Sequence, residues 1–118
     1  MTELVIGNFS KTLPYVPIGV GCCAILYKMN GCGWCERMKP VWEELDKTVG
    51  FLQLFTFTVD ASTANMNHWK KIKRCLKNSS ELEGFPLVML YNKNGRVVLY
   101  PGYCETEEMR AKMIEFCE

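Results

Sequence analysis

A C-x-x-C pair lies in the stretch Met29-Asn30-Gly31-Cys32-Gly33-Trp34-Cys35-Glu36-Arg37-Met38-Lys39-Pro40, between two contrasting patterns. Before it, Cys22 to Met29 is a short and mostly apolar run, which is typical of a central strand covered on both faces. After it, apolar residues recur at helical spacing, which predicts a helix from Cys32 to Val49. The two thiols are therefore expected where a buried strand gives way to a helix.

That position favours redox chemistry. Cys32 would lie near the helix N-cap, where unpaired backbone N–H groups and the helix dipole stabilise a thiolate. Cys35, three residues on, would lie on the same helix face and could close a disulfide or resolve a mixed disulfide. Lys28, Arg37 and Lys39 could favour the thiolate further or could simply solvate the helix end.

The rest of the chain predicts an α/β arrangement. Residues 3–11 hold at most one short helix or strand, because prolines and glycines between positions 14 and 21 break any longer element. The order of elements predicts a parallel strand pair followed by an antiparallel hairpin, with helices on both faces of the sheet. After the first helix the predicted elements are strand Phe51–Val59, helix Asn65–Lys77, strand Pro86–Tyr91, a turn at Asn92–Gly95, strand Arg96–Tyr100 and helix Thr106–Phe116.

Length and charge exclude several classes of function. The 118 residues suit a single domain spanning 1–118. Fourteen basic and thirteen acidic residues leave a net charge of +1, which argues against a broad nucleic-acid interface. The most apolar run, Val16 to Tyr27, is too short to span a bilayer, and Met1 to Leu4 does not begin a secretory signal. We therefore expect a cytoplasmic monomer without nucleic-acid or membrane partners.

The quoted stretch resembles the active-site segment of the thioredoxin family. That family has C-G-x-C at a strand-to-helix junction and a proline five residues after the second cysteine, which is Pro40 here. Its second mark is a cis-proline that opens the hairpin strand and faces the disulfide, and Gly84-Phe85-Pro86-Leu87-Val88-Met89-Leu90-Tyr91 is similar to that segment. Gly102 matches a glycine near the end of the last strand. The resemblance covers about residues 22–118 and implies a thioredoxin-like α/β fold, a central mixed sheet flanked by helices on both faces.

The resemblance also implies an enzyme, a thiol–disulfide oxidoreductase acting on protein thiols and disulfides. Its electron donor or acceptor would be a reductase, an oxidase or glutathione, and no cofactor or metal is expected. Trp34 cannot face the core from its loop, so we expect it to be exposed for docking. The implied site residues are Cys32 and Cys35 for catalysis, and Gly33, Trp34, Phe85 and Pro86 for substrate binding.

The chain departs from the family in ways that bear on its chemistry. The dipeptide between the cysteines is Gly33-Trp34, where thioredoxins have Gly-Pro and protein disulfide isomerases have Gly-His. Leu26 and Thr56 stand where thioredoxins carry a buried Asp and the Lys that pairs with it. The proton of Cys35 is therefore expected to leave to water or to another group. A tryptophan in place of the proline favours a more oxidising couple than that of thioredoxin.

The segment from Asp60 to Pro86 is about ten residues longer than in small thioredoxins, by inspection of the family pattern. It is either a partner-binding lobe or an ordinary amphipathic helix that covers the sheet, and its apolar stripe favours the helix. His68, the only histidine, is expected at the surface rather than as a catalytic base.

The seven cysteines cannot all pair within the chain, because their number is odd. A reducing compartment disfavours disulfide staples. We expect Cys22 and Cys23 to pack as small apolar side chains at the start of a strand, and Cys117 to be exposed. Cys75 and Cys104 are interpreted as buried free thiols, although pairing between them stays open.

Three other functions are alternatives to the oxidoreductase. A glutathione-linked glutaredoxin is disfavoured because the C-P-Y-C and T-V-P patterns are absent. A metal or iron–sulfur protein would need four ligands, and there is no second C-x-x-C or C-x-x-H to supply them. A redox-inert interaction module of the same fold is disfavoured by the intact C-G-x-C and by Pro86.

Overall fold

Within the part of the chain that the structure describes, five strands form a mixed sheet at the centre of the molecule. The computed structural model of the chain describes residues 2–11, 17–19, 21–74, 84–92, 94 and 96–117. The strands are β1 (Thr2–Glu3), β2 (Cys23–Lys28), β3 (Gln53–Thr58), β4 (Leu87–Tyr91) and β5 (Val97–Pro101). Their order across the sheet is β1-β3-β2-β4-β5. Strand β3 runs parallel to both β1 and β2, whereas β4 is antiparallel to β2 and β5.

Helices cover both faces of this sheet. They are α1 (Gly33–Thr48), α2 (Thr63–Arg74) and α3 (Thr106–Cys117). Successive side chains of β2 point to opposite faces. Ala24 and Leu26 pack in one core cluster with α1 and α3, whereas Ile25 and Tyr27 pack in a second cluster with α2. The predicted α/β fold, with a mixed sheet between two helical layers, is confirmed.

The observed helices and strands differ from the predicted ones mostly in where they begin and end. Cys32 and Val49 are the N-cap and C-cap of α1 rather than its first and last residues. The sequence did not predict β1, which pairs only Thr2 with Phe55 and Glu3 with Thr56. A strand of two residues is too short to show an alternation of apolar and polar side chains, so β1 could not be recognised in the sequence. The predicted end of the second helix, at Lys77, lies outside the described residues.

The structure corrects the interpretation of Cys22 and Cys117. They form a disulfide with their Cα atoms 6.6 Å apart, although they are 95 positions apart in the sequence. The bond is possible because α3 returns along the sheet, and its last turn ends beside the residue that precedes β2. Cys23 and Cys104 are buried and free, as predicted. Cys75 lies outside the described residues.

His68 was expected at the surface, and that expectation was wrong. Its side chain is buried, and its ring centroid lies 4.5 Å from that of Phe9 and 5.7 Å from that of Phe57. Burial lowers the pKa of the imidazole, and the charge of Lys71 lowers it further. The position of His68 on α2 was predicted. Its burial was not, because its neighbour Phe9 belongs to the N-terminal segment that the sequence could not assign.

No helix among the described residues combines the length and apolarity needed to cross a membrane.

Trp42 should make a measurable contribution to stability. It is 1% exposed, and its Nε1–H donates a hydrogen bond of 3.0 Å to the carbonyl oxygen of Phe55. Trp42→Phe removes this donor, so we expect it to cost about 1–3 kcal/mol of unfolding free energy. Urea unfolding should show a lower midpoint with an unchanged slope.

Trp34→Phe is the matched control, because Trp34 is 56% exposed. Its effect on stability should stay within about 0.5 kcal/mol. Equal midpoints for Trp42→Phe and the wild type would show that the hydrogen bond and packing of Trp42 contribute nothing.

Candidate functional site

The C-x-x-C pair lies where β2 gives way to α1, as the sequence predicted. Gly31 has a φ of +75°, a conformation that glycine adopts without steric cost, and it turns the chain into the helix. Cys32 is the N-cap of α1, and its Sγ accepts a hydrogen bond of 3.1 Å from the backbone N–H of Cys35. The two cysteines form a disulfide, with Cα atoms 5.2 Å apart.

The two cysteines differ in accessibility. Cys32 is partly exposed, whereas Cys35 is 4% exposed because it lies inside the first turn of the helix. In the reduced state, a solvent-borne reagent would reach the Cys32 sulfur first. This asymmetry suits one attacking and one resolving thiol.

The segment that contains Phe85 and Pro86 faces Cys32, although Phe85 is 53 positions away in the sequence. The Phe85–Pro86 peptide bond is cis. The carbonyl oxygen of Phe85 lies 3.5 Å from the Cys32 sulfur. The backbone N–H of Gly102 donates a hydrogen bond of 2.9 Å to the carbonyl oxygen of Pro86. The loop after β2, which carries Cys32, therefore contacts the segment before β4, and the loop after β5 holds that segment from its other side.

Helix α2 supports the same segment from behind. The ring of Trp69 is buried, with its centroid 4.9 Å from that of Tyr27 and 5.5 Å from that of Phe85. A second contact fixes the loop before Cys32, because the backbone N–H of Asn30 donates a hydrogen bond of 2.9 Å to the Asp60 carboxylate. The sequence did not predict either contact, since each joins residues of separate elements.

An aromatic rim, formed by Trp34 and Tyr103, borders the disulfide. Trp34 is 56% exposed and Tyr103 is 40% exposed, and their ring centroids lie 5.8 Å apart. The Arg37 guanidinium lies 4.9 Å above the Trp34 ring, at the distance of a cation–π contact. The exposure of Trp34 was predicted. Tyr103 was missed, although its position directly after Gly102 could have indicated it.

A cavity of about 450 Å³ opens on the other side of Cys35. Leu26 and Thr56, which are neighbours across β2 and β3, line its floor. These are the two positions where thioredoxins carry the Asp and its Lys partner. The remaining wall is largely charged and includes Lys28, Glu36, Lys39, Glu43, Asp46 and Lys47. Cys35 is therefore beside a polar cavity that water can enter, despite its low exposure.

The described residues include no group of three or more His, Cys, Asp or Glu side chains placed to hold a metal ion. The metal-binding alternative therefore has no ligand set in this part of the chain.

Comparison with known proteins identifies the family. Residues 22–116 match the family model described as a thioredoxin-like domain. The chain belongs to the thioredoxin-like family. Its Cys32–Cys35 pair and the Phe85–Pro86 segment both lie within the matched range.

Solved structures with the same fold include thioredoxin f from spinach chloroplast, in its short form. It has a TM-score of 0.63 and 15% identity, with 84% of this chain and 78% of that chain covered. The J-Trx1 fragment of ERdj5 also has a TM-score of 0.63, with 17% identity and 82% of this chain covered. The match spans only 42% of that fragment. A search of the curated proteins gave no match.

The cysteines of the reduced protein should differ widely in their rates of alkylation. With iodoacetamide near neutral pH, we expect Cys32 to be labelled first, because it is partly exposed at a helix N-terminus. Cys35 should react slowly, because it is buried. Cys23 is the control. Burial raises the pKa of its thiol to about 12, so it should stay unlabelled.

Timed quenching followed by peptide mass spectrometry measures these rates. Faster labelling of Cys35 than of Cys32 would invert the assignment of the accessible thiol.

Proposed function

We propose that this protein is a thiol–disulfide oxidoreductase that exchanges electrons with protein disulfides through Cys32 and Cys35. The observation that supports this most strongly is the arrangement of the two sulfurs. Cys32 is partly exposed at the N-cap of α1, and Cys35 is buried within bonding distance of it. This arrangement separates an attacking thiol from a resolving one.

In the first step, the Cys32 thiolate attacks one sulfur of a substrate disulfide. A mixed disulfide forms, and the other substrate sulfur leaves as a thiolate that takes up a proton. The N–H of Cys35, which points at the Cys32 sulfur, stabilises negative charge on it before the attack. The Phe85 carbonyl, 3.5 Å from the sulfur, lines the approach to it.

In the second step, Cys35 loses its proton and attacks the Cys32 sulfur of the mixed disulfide. The Cys32–Cys35 disulfide forms, and the second substrate thiolate leaves. The substrate disulfide has then gained two electrons and two protons, and the dithiol of the protein has lost them. A reductase or glutathione would return the dithiol, whereas an oxidase would drive the reverse direction.

The cavity beside Cys35 provides a route for the proton of the second step. Leu26 and Thr56 offer no acidic or basic group at this point, so the buried acceptor of thioredoxins has no counterpart here. Water in the cavity can take the proton directly and exchange it with the carboxylates of the wall, among them Glu36 and Glu43.

The aromatic rim and the Phe85–Pro86 segment would hold the substrate chain. Trp34 and Tyr103 present apolar surface next to the reactive sulfur, and removing that surface from water on docking is favourable. We assign Gly33, Trp34, Phe85 and Pro86 to substrate binding on this basis.

The test is to trap the intermediate. Cys35→Ser should accumulate mixed disulfides with a denatured, disulfide-containing protein such as insulin, and Cys32→Ser should form none. Both variants should lose insulin reduction in the presence of dithiothreitol down to the uncatalysed rate. Cys104→Ser is the matched control and should retain the wild-type rate, since Cys104 is buried and forms no disulfide.

Partner proteins trapped on Cys35 in the Cys32→Ser variant, with none trapped on Cys32 in the Cys35→Ser variant, would reverse the two roles. Full insulin reduction by Cys32→Ser would contradict the proposed role of Cys32, and a wild-type rate no higher than the uncatalysed one would favour a redox-inert module.

Trp34→Ala should separate docking from chemistry. Losing the apolar ring surface that docking would cover should lower kcat/KM for a protein disulfide by about tenfold, which corresponds to ~1.4 kcal/mol of binding. The rate with a small aromatic disulfide reagent should stay within about twofold, because such a reagent does not need the rim.

Phe51→Ala is the matched control, because Phe51 is 48% exposed but follows the opposite end of α1. It should leave both rates unchanged. Equal losses for the protein and the small disulfide in Trp34→Ala would place the role of Trp34 in the chemistry of the pair rather than in docking.

A further inference from the structure

The Cys22–Cys117 disulfide joins the start of the central strand to the end of the last helix. Cys22 directly precedes β2, and Cys117 is the last residue of α3. Both side chains are partly buried and pack against the core cluster that includes α1 and α3. The two side chains are therefore held together by the fold, and each residue keeps partial exposure to the solvent.

This pair lies at the opposite end of β2 from Cys32. Strand β2 has six residues, so about 20 Å of chain separates Cys22 from the loop that leads to Cys32. Direct exchange between the two pairs within one molecule is excluded by that distance. Each pair must exchange electrons with its own external thiol or disulfide.

We propose that Cys22 and Cys117 form a second redox centre, a dithiol that low-molecular-weight disulfides such as glutathione disulfide close reversibly. One cysteine attacks glutathione disulfide as a thiolate, which forms a mixed disulfide and releases one glutathione. The other cysteine then displaces the second glutathione and closes the bond. The dithiol loses two electrons and two protons, and one glutathione disulfide becomes two glutathione molecules.

Closure of this bond changes the stability of the fold without changing the site around Cys32. The disulfide links residues 95 positions apart, so it restricts nearly the whole unfolded chain. Helix α3 keeps its other anchors when the bond opens, namely buried Met109, Met113 and Phe116. Arg110 also donates a hydrogen bond of 2.8 Å to the Thr48 hydroxyl of α1. The folded structure should therefore persist in both states, with the oxidised state harder to unfold.

The experiment uses the full chain with Cys32→Ser and Cys35→Ser, so its outcome does not depend on the proposed function. Incubation with glutathione disulfide should remove two titratable thiols per chain. Peptide mapping without reductant should find Cys22 linked to Cys117. The Tm should rise by about 10 °C or more, and an excess of reduced glutathione should restore both the thiols and the lower Tm.

Two further variants in the same background provide the controls. Cys117→Ser should abolish the linked peptide and the rise in Tm, whereas Cys104→Ser should keep both. In the chain with Cys32 and Cys35 intact, Cys117→Ser should leave insulin reduction within about twofold of the wild type, because the second centre lies away from the site.

Several results would overturn the proposal. They are glutathione held on a single cysteine without closure, a link from Cys22 or Cys117 to a different cysteine, or an unchanged Tm after closure. A bond that stays closed in excess reduced glutathione would make the pair a permanent staple rather than a redox centre.

Discussion

The hydrogen bond from the Cys35 backbone N–H to the Cys32 sulfur is the interaction on which the site depends. It exists because α1 begins at Gly33, which leaves Cys32 as its N-cap and the N–H groups of the first turn without helical partners. The helix is held in place by its buried face, which packs on the sheet through Met38, Trp42 and Leu45 among others. Core packing thus fixes the direction in which the first turn presents its donors.

The opposite wall of the site depends on packing of a different kind. The Phe85–Pro86 segment is held by a ring contact with Trp69 of α2 and by a hydrogen bond from Gly102 after β5. The longer segment between Asp60 and Pro86 therefore contributes, in its described part, an ordinary helix that covers the sheet and supports one wall of the site. The favoured interpretation of that segment holds for residues 63–74, and the remainder lies outside the described residues.

The strand-to-helix junction and the order of elements were predictable because they rest on local patterns: an apolar run, a helical period and a turn. Cys32 and Cys35 followed from that junction, and Phe85–Pro86 followed from the family resemblance. The long-range pairings were not predictable in this way. The Cys22–Cys117 bond and the burial of His68 against Phe9 depend on where separate segments meet in space, and no single segment carries that information.

The equilibrium reduction potential of the Cys32–Cys35 pair tests the central claim most directly. It is best measured in a chain with Cys22→Ser and Cys117→Ser, by equilibration with glutathione buffers and quantification of alkylated thiols by mass. A thiolate favoured by the helix N-terminus and a tryptophan in place of proline between the cysteines predict a value between about −270 mV and about −180 mV. A potential more negative than about −270 mV, or a pair that does not respond to the buffers, would contradict the account.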